Sequence, residues 1–431
     1  VKTLRAGLVS LSNSPFLRNV AAVAGGTAAA QAIAMAFAPF ITRLYGPEAF
    51  GVQGTFLSLI AIVTPLSALA YPIAIVLPKS DMNALALKRL SILVALGIAI
   101  TLLLALVLLF DPLASLLGDE LVAPFLWLLP VVAVLAAWFQ VTQQWLIRNE
   151  RFKVLAGIAI LQAFLVNSAR VGLGLLSATS AMLVAVTVAG LGFHALMQSW
   201  GGRGRQRAPE PIPDLVMRIR QQAMEHKNFP LFRAPEMILN AISESLPVLM
   251  LAAAFGPAEA GFYTLARSML YLPLNLIGQS VADVFFPQFN SRALNGHALF
   301  PALVRAVGSL AAVALPLVLI VYIVSPSVFS LFFGVQWELS GVYASLLCPW
   351  LFVLFVTRPC TGAISVLRLQ RVQLMNTFFF LIFRIIVLFL GAYVFEESRV
   401  AVALFGLVGS ISGISILLIV ALSAKERDRN V

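Results

Sequence analysis

The sequence predicts an all-α polytopic membrane protein, with twelve transmembrane helices in two pseudo-symmetric six-helix bundles around a central cavity. Three observations carry this. Hydrophobic residues make up 61% of the 431 and charged residues only 11%, against about 25% charged in an ordinary soluble chain. The apolar surplus therefore has to face lipid. Runs long enough to cross about 30 Å of hydrocarbon recur along the whole chain, and a polar, basic stretch from Trp200 to Arg233 divides them six and six.

In order, the runs fall near residues 19–41, 50–78, 90–110, 121–146, 154–174 and 178–199, then 231–254, 262–285, 300–324, 338–357, 372–395 and 399–422. The second is overlong, and Pro65, Pro72 and Pro78 predict that it kinks or ends early. The apolar but short segment 325–338 predicts a half-helix or interfacial piece ahead of span ten. These limits place an amino-terminal bundle at 1–200, a cytoplasmic basic linker at 201–230 and a carboxy-terminal bundle at 231–431. Within the linker, Arg203, Arg205 and Arg207 read as an orientation signal, with anionic lipid contact as the functional alternative. Leu215–Lys227 reads as a short helix.

Orientation follows from sorting lysine and arginine by loop. With both termini cytoplasmic, 24 of the 29 basic residues fall on the cytoplasmic side, and the opposite loops hold only Arg43 and Arg399. The net charge of +11 is then a topological signal and excludes nucleic acid as a partner. The opposite loops are short, which argues against a glycan polymerase or ligase. The first apolar run exceeds a signal-peptide core and is followed by further spans, so no cleaved leader is expected. Cys348 and Cys360 lie in no metal-spacing motif and read as buried packing residues. His194, His226 and His297 are too scattered for a metal site.

The two halves echo each other. Gly46-Pro47-Glu48-Ala49-Phe50-Gly51 between spans one and two matches Gly256-Pro257-Ala258-Glu259-Ala260-Gly261 between spans seven and eight. Each Gly-Pro pair predicts a tight turn, and each later glycine lets the next helix start close by. Arg148-Asn149-Glu150-Arg151 and Arg368-Leu369-Gln370-Arg371 repeat an R-x-x-R after spans four and ten. Parallel repeats of this kind predict an axis along the membrane normal and a cavity that opens alternately.

Charged side chains inside spans must face the bundle interior or water. Arg170, Arg267 and Arg384 qualify, with Arg18 at the mouth of span one. A planar guanidinium suits a phosphate or pyrophosphate, and internal pairing is the structural alternative. Glu244, Asp283 and Glu236 are the acids, read as charge partners or as sites coupling transport to a proton or sodium gradient. Gln31, Gln140, Gln144, Asn240, Asn275 and Asn376 add polarity suited to a hydrophilic cargo such as sugar, although interhelical hydrogen bonds explain each singly.

The stretch Ile41-Thr42-Arg43-Leu44-Tyr45-Gly46-Pro47-Glu48-Ala49-Phe50-Gly51, with Ala74-Ile75-Val76-Leu77-Pro78-Lys79-Ser80-Asp81, resembles the opening of bacterial polysaccharide transporters. These are oligosaccharide flippases of the multidrug/oligosaccharidyl-lipid/polysaccharide exporter superfamily. The resemblance implies a bacterial inner-membrane protein without cofactor or enzymatic activity. It would move an undecaprenyl-pyrophosphate-linked O-antigen, capsule or exopolysaccharide repeat unit from the cytoplasmic to the periplasmic leaflet. Its implied partners are the polyprenyl-pyrophosphate-linked glycan and membrane lipid, with room for a glycan polymerase and its chain-length machinery. Two alternatives stay open: an ion-coupled extruder of drugs or small amphiphiles, and a membrane enzyme of glycan assembly.

Overall fold

A computed structural model describes the chain at residues 15–117, 121–202, 215–367 and 369–430. Within these stretches the side chains of 15–21, 116–117, 272–273, 275–277, 279–284, 286–287 and 430 are outside the description. Arg203, Arg205, Arg207 and Arg368 therefore lie outside the described residues.

The described chain is helical throughout. In order come α1 (Pro15–Leu44), α2 (Pro47–Ser67), α3 (Tyr71–Ala74), α4 (Asp81–Leu117), α5 (Leu129–Arg148), α6 (Phe152–Leu176) and α7 (Ser180–Gly202). After 203–214 follow α8 (Leu215–Glu225), α9 (Ala234–Phe255), α10 (Pro257–Leu294), α11 (Phe300–Phe333), α12 (Glu338–Val356), α13 (Arg358–Val366), α14 (Gln370–Phe389) and α15 (Ser398–Asn430). Among the described residues, eleven helical stretches are long and apolar enough to cross a membrane. The 38-residue α10, expected as span eight, is continuous, and its apolar stretch 269–286 lies partly outside the description. Outward faces are apolar, as lipid requires: Val107 and Leu108 on α4, Ile320 and Ile323 on α11, and Phe378, Phe379 and Ile382 on α14 are all exposed.

The second span stops at Ser67, and Leu69 and Ala70 take left-handed φ of 49° and 60°, so the overlong run breaks as its prolines predict. The expected half-helix at 325–338 is corrected: α11 runs unbroken to Phe333. Pro326 has no N–H for the Tyr322 carbonyl four residues back. Ser345 Oγ of α12 donates to that carbonyl at 2.8 Å, so the helix continues through the proline with its polar group satisfied.

The chain forms two compact units. One takes the chain up to Tyr45, then Phe56–Leu116 and Leu121 to Ile242; the other takes Gly46–Thr55 and everything from Ser243. In the first, α1 packs along α6 and α5 along α7. Arg148 at the end of α5 donates to the carbonyls of Ile75 (3.2 Å) and Pro78 (2.6 Å) and pairs with Asp81 at 2.9 Å. That grip shapes the turn Ala74–Asp81. The helix expected in the linker is α8, and it docks on this unit. Ile219 and Ala223 pack on the cluster of Tyr71, Ile75, Leu87 and Trp145. In the second unit α11 packs along α12, and α12 along α15. The starts of α2 and α10 meet here, with Trp337 fully buried between Phe50 and Phe262, ring centroids 5.0 and 5.9 Å away.

Candidate functional site

The second unit contains a cavity of about 410 Å³, lined by residues of α9, α10, α12, α13, α14 and α15. Its charged lining is Glu244, Arg358 and Arg384, and Gln373, Asn376, Thr361 and Ser412 add polar groups. Local sequence explains how each gets there. Pro247 sits inside α9 and leaves the Ser243 carbonyl without its usual helical donor. At that loosened turn, two consecutive residues receive two different arginines. Ser243 Oγ accepts from Nη1 of Arg384 at 2.6 Å. Glu244 accepts from Arg267 twice, at its carbonyl and at Oε2, both at 2.8 Å.

The consequence is an unequal distribution of charge. Arg267 is engaged by a carboxylate and also lies over the Tyr271 ring at 5.1 Å. Arg384 has no carboxylate partner among the described residues. It rests instead over Trp350 and Phe405, 5.6 and 5.1 Å from their centroids, where the ring faces attract a cation. Its Nε is buried with no partner among the described residues. Gly409 makes the platform feasible, since a Cβ there would fall 2.6 Å from the Trp350 indole. Asn376 is held by neighbours on α15, donating to Ser412 Oγ at 3.2 Å and accepting from Ser415 at 2.7 Å. Chemically, the cavity offers cationic planar donors, amides and hydroxyls, a set that suits an oxyanion carrying polar substituents.

The sequence-predicted residues separate accordingly. Arg384, Glu244 and Asn376 meet at the cavity, and Arg267 stands behind Glu244. Arg170, Gln31, Gln140 and Gln144 belong to the other unit. There Arg170 reaches Thr187 at 3.4 Å, while its backbone carbonyl accepts from Tyr45 Oη at 2.9 Å. Gln140 donates to the carbonyl of Thr64 at 2.9 Å, one of the orphans at the end of α2, so its role there is structural. Glu236 pairs with Arg233 at 2.9 Å in the first turn of α9, and Asn240 is exposed. The side chains of Arg18, Asn275 and Asp283 lie outside the described residues.

Sequence reading missed Arg358, which it placed in a cytoplasmic loop. Thr357 ends α12, and α13 starts at Arg358 with Pro359 in its first turn, returning the arginine to the cavity wall. The sequence offered no signal for this, since Pro359 and Gly362 between the apolar runs read as turn residues. Among the described residues, no group of three or more His, Cys, Asp or Glu could hold a metal ion. Cys348 and Cys360 are free and buried.

Long helices with apolar outward faces mark a polytopic membrane protein, and its second unit holds a cavity with two arginines in the lining. A family model described as "polysaccharide biosynthesis protein" matches residues 40–341. That match spans most of the chain, which therefore belongs to this family. The fold is similar to an inward-facing multidrug resistance MATE family transporter, with TM-score 0.65, 15% identity, and 93% of this chain and 96% of that one covered. It is also similar to the lipid II flippase MurJ in an inward closed conformation, with TM-score 0.70, 11% identity and coverage of 92% and 86%. A third similar structure is a superfamily transporter from Pyrococcus furiosus Vc1 (DSM3638), described as having a binding pocket of reversed polarity. Its TM-score is 0.59, with 14% identity and coverage of 95% and 96%. A comparison with curated proteins finds no match.

Proposed function

We propose that this protein is a flippase for polyprenyl-pyrophosphate-linked oligosaccharides, carrying the sugar-pyrophosphate head from the cytoplasmic to the periplasmic leaflet while the polyprenyl tail stays in lipid. In this reading twelve spans, α10 included, form two six-helix bundles that alternate access. The observation that carries it is Arg384: a cavity guanidinium with no salt-bridge partner among the described residues, oriented by Trp350, Phe405 and Ser243. A diphosphate needs such a donor, and a cationic drug is repelled by it. The family description supports the same cargo class.

A second reading, an ion-coupled extruder of small amphiphiles, has its own support. The similar solved structures include more MATE transporters than lipid flippases, so by fold likeness alone it is the better backed. Glu244 on the cavity wall would then receive a cation.

Arg384→Ala and Arg384→Lys, scored for surface glycan and for intracellular lipid-linked repeat units, test the first reading. The expected result is lost glycan with accumulated intermediate for the alanine variant and partial function for lysine. Normal glycan export at normal protein level overturns it. Export of a lipophilic cation from proteoliposomes, independent of glycan synthesis, would establish the second.

A further inference from the structure

Helix α8 has one face committed and one face open. Its inner side is fixed by Ile219 and Ala223 against the Tyr71 cluster, by Tyr71 Oη donating to the Ala223 carbonyl at 3.3 Å, and by Arg218 donating to Asn83 at 3.3 Å. Gln222 on that side is 1% exposed. The orientation of the outer side is thereby set.

That outer side mixes two kinds of residue that water alone does not explain together. Val216, Met217 and Met224 are 80%, 72% and 65% exposed. Arg220 and Lys227 are exposed between and beyond the methionines. Met217, Arg220 and Met224 stand at i, i+3 and i+7, along one face of α8, and exposed Lys227 follows in the turn that ends it. From Leu215 to Arg233 the chain has Arg218, Arg220, Lys227 and Arg233 against the single acid Glu225, whose carboxylate is taken by Gln222 at 2.9 Å.

The face is also continuous with lipid-facing surface. The candidate span that contains α9 begins at Phe229, one turn past the end of α8, and Leu231 and Phe232 there are exposed. A docked helix at a membrane boundary, with flexible apolar side chains interleaved by cations, has the chemistry of an interfacial helix. Long basic side chains reach headgroups while their neighbours sink toward the acyl region.

We propose that the outer face of α8, formed by Val216, Met217, Arg220 and Met224, together with Lys227 in the turn after it, is a docking surface for anionic lipid, with the phosphates on the two cations and the methionines below them. The cargo plays no part in this inference, so it stands or falls apart from the flippase reading.

The test uses the full chain in nanodiscs, with a nitroxide at Met217→Cys or Met224→Cys and the wild-type chain as labelling background, its two cysteines being buried. Collisions with an aqueous nickel complex and with oxygen in the bilayer report depth. In phosphatidylglycerol bilayers the aqueous accessibility of both labels should be at least about threefold lower than in phosphatidylcholine, and Arg220→Glu with Lys227→Glu should abolish the difference. Equal aqueous exposure in both bilayers overturns the proposal, independently of the charge variants. So does protection accompanied by spin–spin broadening between copies, which would assign the face to a second protein chain.

Discussion

Gly51 and Gly261, the last residues of the two G-P-x-x-x-G motifs, pack on each other's helix starts. A Cβ on Gly51 would fall 1.6 Å from the Pro257 carbonyl oxygen, and one on Gly261 would fall 2.0 Å from the Pro47 carbonyl oxygen. Neither distance allows a side chain, and in both cases the obstacle is backbone that cannot rotate away. Alanine in place of a helical glycine normally gains about 1 kcal/mol. Here forced separation of two helices costs about 1–3 kcal/mol or more, so the sign should reverse. Gly51→Ala and Gly261→Ala should each lower the thermal unfolding midpoint in detergent. Gly46→Ala, where a Cβ meets nothing within 4 Å, should leave it unchanged.

Ser345 and Pro326 form a pair in which one residue supplies what the other withholds. Ser345→Ala removes the donor to the Tyr322 carbonyl and should destabilise by about 1 kcal/mol. Pro326→Ala restores a backbone N–H four residues after Tyr322. In the double variant the loss of the hydroxyl should therefore cost little, and a double-mutant cycle in chemical unfolding should show coupling of about 0.5 kcal/mol or more. Additive effects would mean that the hydroxyl does not stand in for the missing N–H.

Much of the fold was legible because lipid selects length and composition together, so α4, α11 and α14 announce themselves as apolar runs. Helix α10 was legible as a span from its apolar stretch, but not that the helix would run on continuously to Leu294. The end of α11 was misread because Pro326 is a stop signal locally, whereas the donor that overrides it lies on another helix. Arg384 and Glu244 were legible as charges that lipid cannot tolerate. That Glu244 would engage Arg267 and leave Arg384 on two aromatic rings was not, because such choices depend on contacts between distant segments. Arg358 escaped for the same reason: counting arginines by loop treats the end of an apolar run as the membrane edge. The two Gly-Pro turns were visible as echoes, yet nothing in one motif tells that it will touch the other.

Arg148 and Asp81 offer an asymmetric pair. Arg148 is 12% exposed and Asp81 83%, so the carboxylate stays well hydrated and its attraction is worth about 0–1 kcal/mol. Arg148 also serves the carbonyls of Ile75 and Pro78, in the turn that follows the short helix α3. Arg148→Ala should therefore destabilise by about 1–3 kcal/mol and Asp81→Ala by clearly less. Comparing their unfolding midpoints checks this; equal losses would show that the ion pair, and not the carbonyl grip, holds the turn.

Trp350 touches Arg384 only through a ring face, so its contribution to the site can be separated from charge. The Trp350→Phe variant keeps an aromatic face but shortens the platform, while Trp350→Leu removes the face altogether. If the ring orients the guanidinium toward an anionic cargo, leucine should weaken binding of a polyprenyl-pyrophosphate glycan by about 3–30-fold, matching a cation–π contact of about 0.5–2 kcal/mol, and phenylalanine by less. Arg384→Ala should cost about 10–100-fold, as loss of a charge-assisted hydrogen bond does. In an Arg384→Ala background the tryptophan substitution should then have almost no further effect, since the group it positions is gone. Titration of the glycan lipid against purified protein measures all four, and an undiminished effect of Trp350→Leu without Arg384 would assign the ring to packing or to direct sugar contact.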